Sequence, residues 1–359
     1  MTSIPATTNE LTPEWFTSAL KLPEKHQIKS IKLEALGEKD SVSGYIYRAI
    51  LNYQKTQDTP ESVVIKMPRS RRQRTPFLLG AYIREVRFYE KLAPKVGIKV
   101  PKLIYSALDT ETSDYILILE DFPESTNVRN ETGATLDQAY KLLENMAKLH
   151  STFWADPTIS SIKFLNNLNN ILHMFSSGFP STVPVFLSRF QQYMEPDETE
   201  IIRKLPEYFD DIVTPLLDSP QTLVHNDYAM KNILILNETD DVSFVLVDWA
   251  NVGQGPGVRD LSFFIGTSIT PEIRAEYETM FIHYYWECLR RFGVSDYSYD
   301  RLYSDYCRTV VIDLARTVHF GGREFFNSMY ESIIRLDLGR RIGSVKELDI
   351  LSLAEQHNR

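Results

Sequence analysis

The run Leu223-Val224-His225-Asn226-Asp227-Tyr228-Ala229-Met230-Lys231-Asn232, followed by Val245-Leu246-Val247-Asp248-Trp249, has the form His-x-Asp-x4-Asn, a turn-back, and then Asp-Trp. Two carboxylates and an amide at this spacing suit phosphoryl transfer. That chemistry needs one carboxylate to orient or deprotonate the attacking hydroxyl and a neutral oxygen ligand for one Mg2+. It also needs a second carboxylate on the metal ions that bridge the phosphates. Asp227, Asn232 and Asp248 are the candidates for these three tasks, and His225 for a scaffold whose ring hydrogen-bonds the loop backbone. Each taken singly is equally the residue of a turn or a strand end; their combination with a hairpin is what points to catalysis.

Two upstream residues complete the set. Ser62-Val63-Val64-Ile65-Lys66 ends a β-type run on a lysine, and Arg84-Glu85-Val86-Arg87-Phe88-Tyr89 puts Glu85 on the helix that follows. A fixed cation on the phosphates and a carboxylate to hold it are the parts the chemistry requires, and Lys66 and Glu85 are the candidates. The stretch from Leu36 through Gly37, Ser41, Ser43 and Gly44 to Tyr45 has small residues that would let backbone N–H groups approach phosphate oxygens, and it reads equally as a plain hairpin loop. Past the apolar Ile116 to Leu119, the Glu120 carbonyl and the Phe122 N–H are placed to pair with an adenine edge.

Three further features are read as structure. Arg69, Arg71, Arg72 and Arg74 form a basic run of the kind usual in solvated loops. Gly253-Gln254-Gly255-Pro256-Gly257 looks like a dinucleotide turn but has no helix start at the required spacing, so a loop is expected. Tyr284, Tyr285 and Trp286 are expected in the core with one exposed member, a cation–π cage being the alternative.

The elements that must position these groups fall into two parts. Thr12, Pro13 and Glu14 start a short helix carrying Trp15, Phe16 and Leu20. Residues 28–65 then alternate apolar and polar around turn residues, which predicts an antiparallel meander, and residues 77–92 take helical spacing at Leu78, Tyr82, Val86, Tyr89 and Leu92. From Leu136 onward the pattern is mostly helical, with one hairpin between residues 222 and 249, and Thr270, Pro271 and Gly293 bound a long helix. The expected divisions are a helical extension over residues 1–26, a nucleotide-binding lobe over 27–121 and a helical lobe over 122–359. The C-terminal four residues are expected to fray.

Length and composition agree with this division. A chain of 359 residues is 43% hydrophobic and 24% charged, enough for two packed lobes and unlike a disordered or repeat-built chain. The net charge of −9 disfavours nucleic acid as the main partner, and it is split, +3 over residues 1–122 and −12 over the rest. No apolar run is long enough to span a bilayer and the N-terminus has no signal-peptide pattern, so no membrane partner and a cytoplasmic location are expected. Cys288 and Cys307 are expected as core residues in a reducing compartment.

With these residues in place, the chain resembles the kinase-like small-molecule phosphotransferases, which include aminoglycoside, choline and ecdysteroid kinases. Ile118-Leu119-Glu120-Asp121-Phe122, Glu85-Val86-Arg87-Phe88-Tyr89, Leu149-His150-Ser151-Thr152-Phe153-Trp154 and Val224-His225-Asn226-Asp227 are most similar to the ecdysteroid kinase-like branch. The resemblance covers residues 28–340. It implies an α+β, two-lobed protein-kinase-like fold, with a small antiparallel-sheet lobe, a larger helical lobe and ATP between them. It implies that Lys66 holds the phosphates, Glu85 pairs with Lys66, Asp227 is the catalytic base, Asn232 and Asp248 ligate Mg2+, and Asp260 braces the catalytic loop.

Relatives often read His-Gly-Asp where Asn226 stands here, and Trp249 replaces the Phe-Gly of protein kinases. No activation segment of the protein-kinase type follows Asp248. The expected function is therefore ATP- and Mg2+-dependent phosphorylation of a small-molecule alcohol, an amino alcohol, an aminoglycoside-like compound or a lipophilic steroid-like one. Acceptor contacts are expected from residues 164–194 and from the helices carrying Trp286 and Asp313. A catalytically inactive binding module of the same fold is the alternative.

Overall fold

The computed structural model describes residues 3–23, 27–36, 44–54, 59–69, 75–128, 132–237, 242–323 and 328–348. The chain forms two compact units, Met1–Thr126 with Leu234–Asn251, and Asn127–Ile233 with Val252–Arg359.

The first unit opens with α1 (Pro13–Ala19), where the Thr12 side chain accepts the Trp15 N–H and Pro13 occupies the first turn. Five strands follow, with one helix among them: β1 (Ile28–Leu36), β2 (Tyr45–Tyr53), β3 (Ser62–Met67), α2 (Pro76–Lys91), β4 (Leu103–Asp109) and β5 (Asp114–Glu120). They make one sheet in the order β1-β2-β3-β5-β4, every neighbouring pair antiparallel.

Side chains alternate across a strand, so Val63, Ile65 and Met67 share a face of β3 and pack with Ala49, Leu51, Ile116 and Ile118. Trp15, Phe16 and Ala19 of α1 join that core, so the N-terminal helix is a layer of this unit and not an appendage. Lys66 is thereby turned to the other face, the one α2 covers. Strand β4 had no clear signal in the sequence; its apolar residues do not alternate and none is fully buried.

After the short β6 (Thr126–Asn127) come α3 (Leu136–Thr152), α4 (Pro157–Ser160), β7 (Asn166–Asn167), α5 (Leu168–Phe190), α6 (Pro196–Val213) and β8 (Thr222–Val224). Strands β9 (Ile233–Asn237) and β10 (Val242–Leu246) pair as the expected hairpin; its turn, residues 238–241, lies outside the described residues. The segment Leu234–Asn251 groups with the first unit, although it lies among helical segments in the chain. Three contacts account for that grouping. Leu246 N–H donates to the Lys99 carbonyl at 3.1 Å, Trp249 stacks on Phe88 at 3.8 Å, and Arg84 Nε donates to the Ala250 carbonyl at 2.8 Å.

The chain then runs through β11 (Gly253–Gly255), α7 (Val258–Ser268), α8 (Pro271–Arg291), α9 (Tyr299–Gly321) and α10 (Ser328–Glu347). The glycine-rich stretch expected as a loop is in fact a strand, β11, lying between β7 and β8, and α7 begins directly after Gly257. Glycine is needed there by close packing: a Cβ on Gly253 would fall 2.6 Å from Asn226 Nδ2 and 2.8 Å from the Asn166 carbonyl. Tyr285 is fully buried, while Tyr284 and Trp286 are half-buried and already faced by Arg291 and Arg290, so no open cage exists there. Cys288 and Cys307 are buried thiols.

Candidate active site

In the first unit the end of β3 delivers Lys66 to α2. Lys66 Nζ lies 2.5 Å from Glu85 Oε1 and 3.0 Å from Asp248 Oδ1. Glu85 falls on the buried face of α2 beside Tyr82, Val86 and Tyr89, which the helical spacing sets. Burial by itself would lower the Lys66 pKa; the Asp248 and Glu85 carboxylates outweigh it and hold the ammonium protonated, above its ordinary value. Burial raises the Glu85 carboxyl, with Lys66 pulling it back. The Lys66 ammonium is thus fixed between two carboxylates.

Asp248 adopts a left-handed backbone, φ 65°, which short polar side chains tolerate. The next residue is clamped: the Trp249 ring is buried on Phe88 and its indole N–H donates to the Leu246 carbonyl at 3.2 Å. Asp248 is thus aimed at Lys66 by an aromatic anchor. Gly44 and Tyr45, at the start of β2, line a small cavity with Lys66, Glu85, Tyr82 and Tyr115. Gly44 has φ +153° and its missing Cβ would fall 2.5 Å from the Met67 carbonyl, so only glycine fits.

In the second unit the segment after β8 carries His225, Asp227 and Asn232. The His225 ring accepts the Asp227 N–H on Nδ1 at 3.2 Å, the backbone contact expected of a scaffold histidine. Asn232 Nδ2 donates to the Asp227 carbonyl at 2.8 Å and to Asp227 Oδ2 at 3.0 Å. Asn127 Nδ2 lies 3.0 Å from the carbonyls of Lys231 and Ile233, tying down the far end of the loop.

Two cations meet the Asp227 carboxylate. Lys231 Nζ is 3.1 Å from Oδ2 and Arg316 Nη2 is 3.5 Å from Oδ1. Burial would raise this carboxyl, but Lys231 and Arg316 outweigh it and hold it well below the usual carboxylate range. Oδ1 is buried and receives no hydrogen bond from any described residue.

Behind the loop stands Asp260, in the first turn of α7 and fully buried. Its Oδ2 accepts the His225 N–H at 2.7 Å and its Oδ1 the Asn226 N–H at 2.8 Å. His150 Nε2, from α3, is 3.2 Å from Oδ2, and His150 Nδ1 is 2.7 Å from the Tyr285 hydroxyl. Burial raises the Asp260 pKa, but the His150 hydrogen bond and charge and the loop N–H groups bring it below the ordinary value. An ionised carboxylate only accepts, so Nε2 carries a proton toward Asp260, and Nδ1 shares its hydrogen bond with the Tyr285 hydroxyl.

Asp260 and the motif containing His150 are both legible in the sequence. Lys231, Arg316 and Asn127 have no role assigned there, and Tyr285 is expected only as a core or cage residue. Lys231 carried a signal, standing four residues from Asp227; Arg316 and Tyr285 carried none, being 89 and 135 residues away in sequence from Asp227 and His150 respectively. Glu120 ends β5, its N–H bonded to the Lys102 carbonyl at 2.9 Å, and Phe122 enters a turn in which its carbonyl accepts from Ser125. Ser41 and Ser43 lie outside the described residues, as do Arg71, Arg72 and Arg74.

An Asn amide oxygen and an Asp carboxylate are hard oxygen donors of the kind Mg2+ takes. Asn232 commits its amide nitrogen to Asp227, which leaves the amide oxygen as the atom to face a cation. No group of three or more His, Cys, Asp or Glu among the described residues is arranged to hold a metal by itself. The residues fit the group.

The fold is that of kinase-like phosphotransferases. A microcompartment-associated aminopropanol kinase matches 93% of this chain and 97% of its own, with a TM-score of 0.57 at 13% identity. An aminoglycoside 2'-phosphotransferase-IIIa, solved with GDP, matches 92% and 98% with a TM-score of 0.58 at 13% identity. The choline kinase LicA from Streptococcus pneumoniae matches 92% and 97% with a TM-score of 0.54 at 14% identity. These identities establish a shared fold and nothing finer. The sequence model of the ecdysteroid kinase-like family matches residues 38–293, and the chain belongs to that family. It is a small-molecule kinase by class. Comparison with curated proteins yields no match.

Proposed function

We propose that the chain transfers the γ-phosphoryl group of ATP, with Mg2+, to a hydroxyl of a small-molecule alcohol. Lys66, fixed by Glu85, binds phosphate oxygens. Asn232 and Asp248 hold Mg2+, which when bound neutralises charge on the phosphates. The acceptor hydroxyl donates its hydrogen bond to Asp227, its oxygen forms the new bond to phosphorus, the bond to the ADP oxygen breaks, and the hydroxyl proton passes to the Asp227 carboxylate. Because Lys231 and Arg316 hold that carboxylate ionised, it orients the hydroxyl more than it pulls on the proton.

The observation that carries this reading is the Asp227 carboxylate itself, with Oδ2 held by Lys231 and Asn232 and Oδ1 buried, faced by Arg316 at 3.5 Å but without a hydrogen bond from any described residue. A buried acceptor without a donor costs stability unless function uses it. The nucleotide part draws support from the solved relatives of the same fold, among them an amicoumacin kinase with AMP-PNP and the aminoglycoside phosphotransferase with GDP.

The test is an acceptor search with Mg-ATP and a mixed metabolite extract, read by mass spectrometry for products heavier by a phosphoryl group. Wild type is expected to yield a product that Asp227→Asn does not, while the variant still binds Mg-ATP by calorimetry. A product formed equally by both proteins would overturn the role of Asp227.

A further inference from the structure

Residues 123–359 carry a net charge of −12. The groups at Asp227 have the opposite sign. Lys231 and Arg316 both lie within 3.5 Å of that one carboxylate. A third cation, Arg259, is buried close enough to Arg316 to feel its charge, and its Nη1 has no hydrogen-bond acceptor among the described residues. Asp313, the next carboxylate along α9, is engaged by Arg341 at 3.2 Å and Ser262 at 2.8 Å.

Arg316 is held in place from three sides. Its Nη1 donates to the Asn226 carbonyl at 3.1 Å, its Cζ sits 4.4 Å from the Phe263 ring centroid, and its Nη2 faces Asp227 Oδ1. The side chain remains 30% exposed, so a bound molecule can reach it. Oδ1, the oxygen without a donor, is the one Arg316 faces. A hydroxyl that donates to Oδ1 therefore brings its own carbon skeleton against a fixed guanidinium.

We infer that Arg316 reads the charge of the acceptor, rejecting an ammonium group close to the reacting hydroxyl and accepting an alcohol that is uncharged or anionic there. This rests on the proposed kinase reading of Asp227. An ammonium two or three carbons from the hydroxyl would stand a few ångströms from a cation in a partly desolvated wall, whereas a carboxylate there gains the attraction of the guanidinium and its remaining N–H donors.

The experiment uses the full chain with Mg-ATP and an equimolar library of alcohols in three matched classes. Each skeleton carries an ammonium, an uncharged or a carboxylate group two to three carbons from the hydroxyl, and products are quantified by mass spectrometry. Wild type is expected to phosphorylate uncharged and carboxylate members, with ammonium members lower by about ten-fold or more. Arg316→Gln is expected to move the ammonium-to-carboxylate product ratio by about ten-fold toward ammonium, and Arg316→Lys to keep the wild-type order. A merely structural arginine would lower all classes together and leave the ratio unchanged. A wild-type preference for ammonium members, or an unchanged ratio in Arg316→Gln, overturns this inference and leaves the kinase reading standing. No product from wild type in any class overturns both.

Discussion

Asp260 holds the backbone N–H of Asn226 at 2.8 Å, and Asn226 stands at φ 63°, in the left-handed region. The bend that turns the chain from His225 to Asp227 is thus held by a buried carboxylate in α7, and the residue at the bend is one that tolerates it. Asn226→Gly should therefore leave stability near wild type, and Asn226→Ala should lower it by about 1 kcal/mol, read by urea denaturation. Equal stability of the two variants would show that the bend is not what selects the residue.

Removing the charge of Asp260 should be more severe. It accepts two loop N–H groups and the His150 Nε2–H, all buried. Asp260→Asn keeps the shape but offers one acceptor oxygen in place of two, so a loss of about 2–4 kcal/mol in unfolding free energy is expected. Phosphoryl transfer should fall more than Mg-ATP affinity, because Lys66 and Glu85 are not touched.

Gly257 provides a steric test of the same brace. Its φ of −58° is ordinary, so backbone freedom is not the reason for glycine. A Cβ there would lie 2.5 Å from the Tyr285 hydroxyl and 2.7 Å from His150 Nδ1, in the middle of their hydrogen bond. Gly257→Ala should cost about 1–3 kcal/mol, and Tyr285→Phe in the same chain should recover part of it, a non-additive cycle measured by thermal unfolding. Strict additivity would mean the clash is relieved elsewhere.

Lys66→Met should weaken nucleotide binding in calorimetry and also lower stability. Glu85 would be left buried beside Asp248 with no cation between them, which costs about 3–5 kcal/mol when one partner of a buried pair is removed. Glu85→Gln in the same chain should restore stability without restoring binding. Recovery of both would show that the lysine is structural only.

His319 makes stability depend on pH. Burial and the neighbouring Arg323 push its pKa down from 6.5 to about 4. The unfolded chain takes up the proton near 6.5 and the folded one only near 4, so this contribution is full above 6.5 and declines as pH falls toward 4. The melting temperature of wild type should drop more between about pH 7 and about pH 5 than that of His319→Gln, which has no proton to gain. Equal drops would place the acid sensitivity in other groups.

Local pattern alone determined a good part of this protein. Period-two apolar residues gave β1 to β3 and helical spacing gave α2 and α3, because those periods follow from backbone geometry that any half-buried element must obey. The spacing of His225, Asp227 and Asn232 made the loop legible, since residues so close in sequence are brought together by one turn of chain. Strand β4 and the strand character of Gly253 to Gly255 were not legible: without alternation or a side chain, a segment declares itself only by what it pairs with. Tertiary structure decided that Asp248 groups with Lys66, since the Trp249–Phe88 stack is a contact across 161 positions of sequence. It also decided that Tyr285 and His150 stand behind Asp260, and that Arg316 faces Asp227. The summed charge does not describe the surroundings of Asp227, because electrostatic interaction falls with distance and is screened by water: Lys231 and Arg316, within 3.5 Å, outweigh a sum spread over the whole second part of the chain.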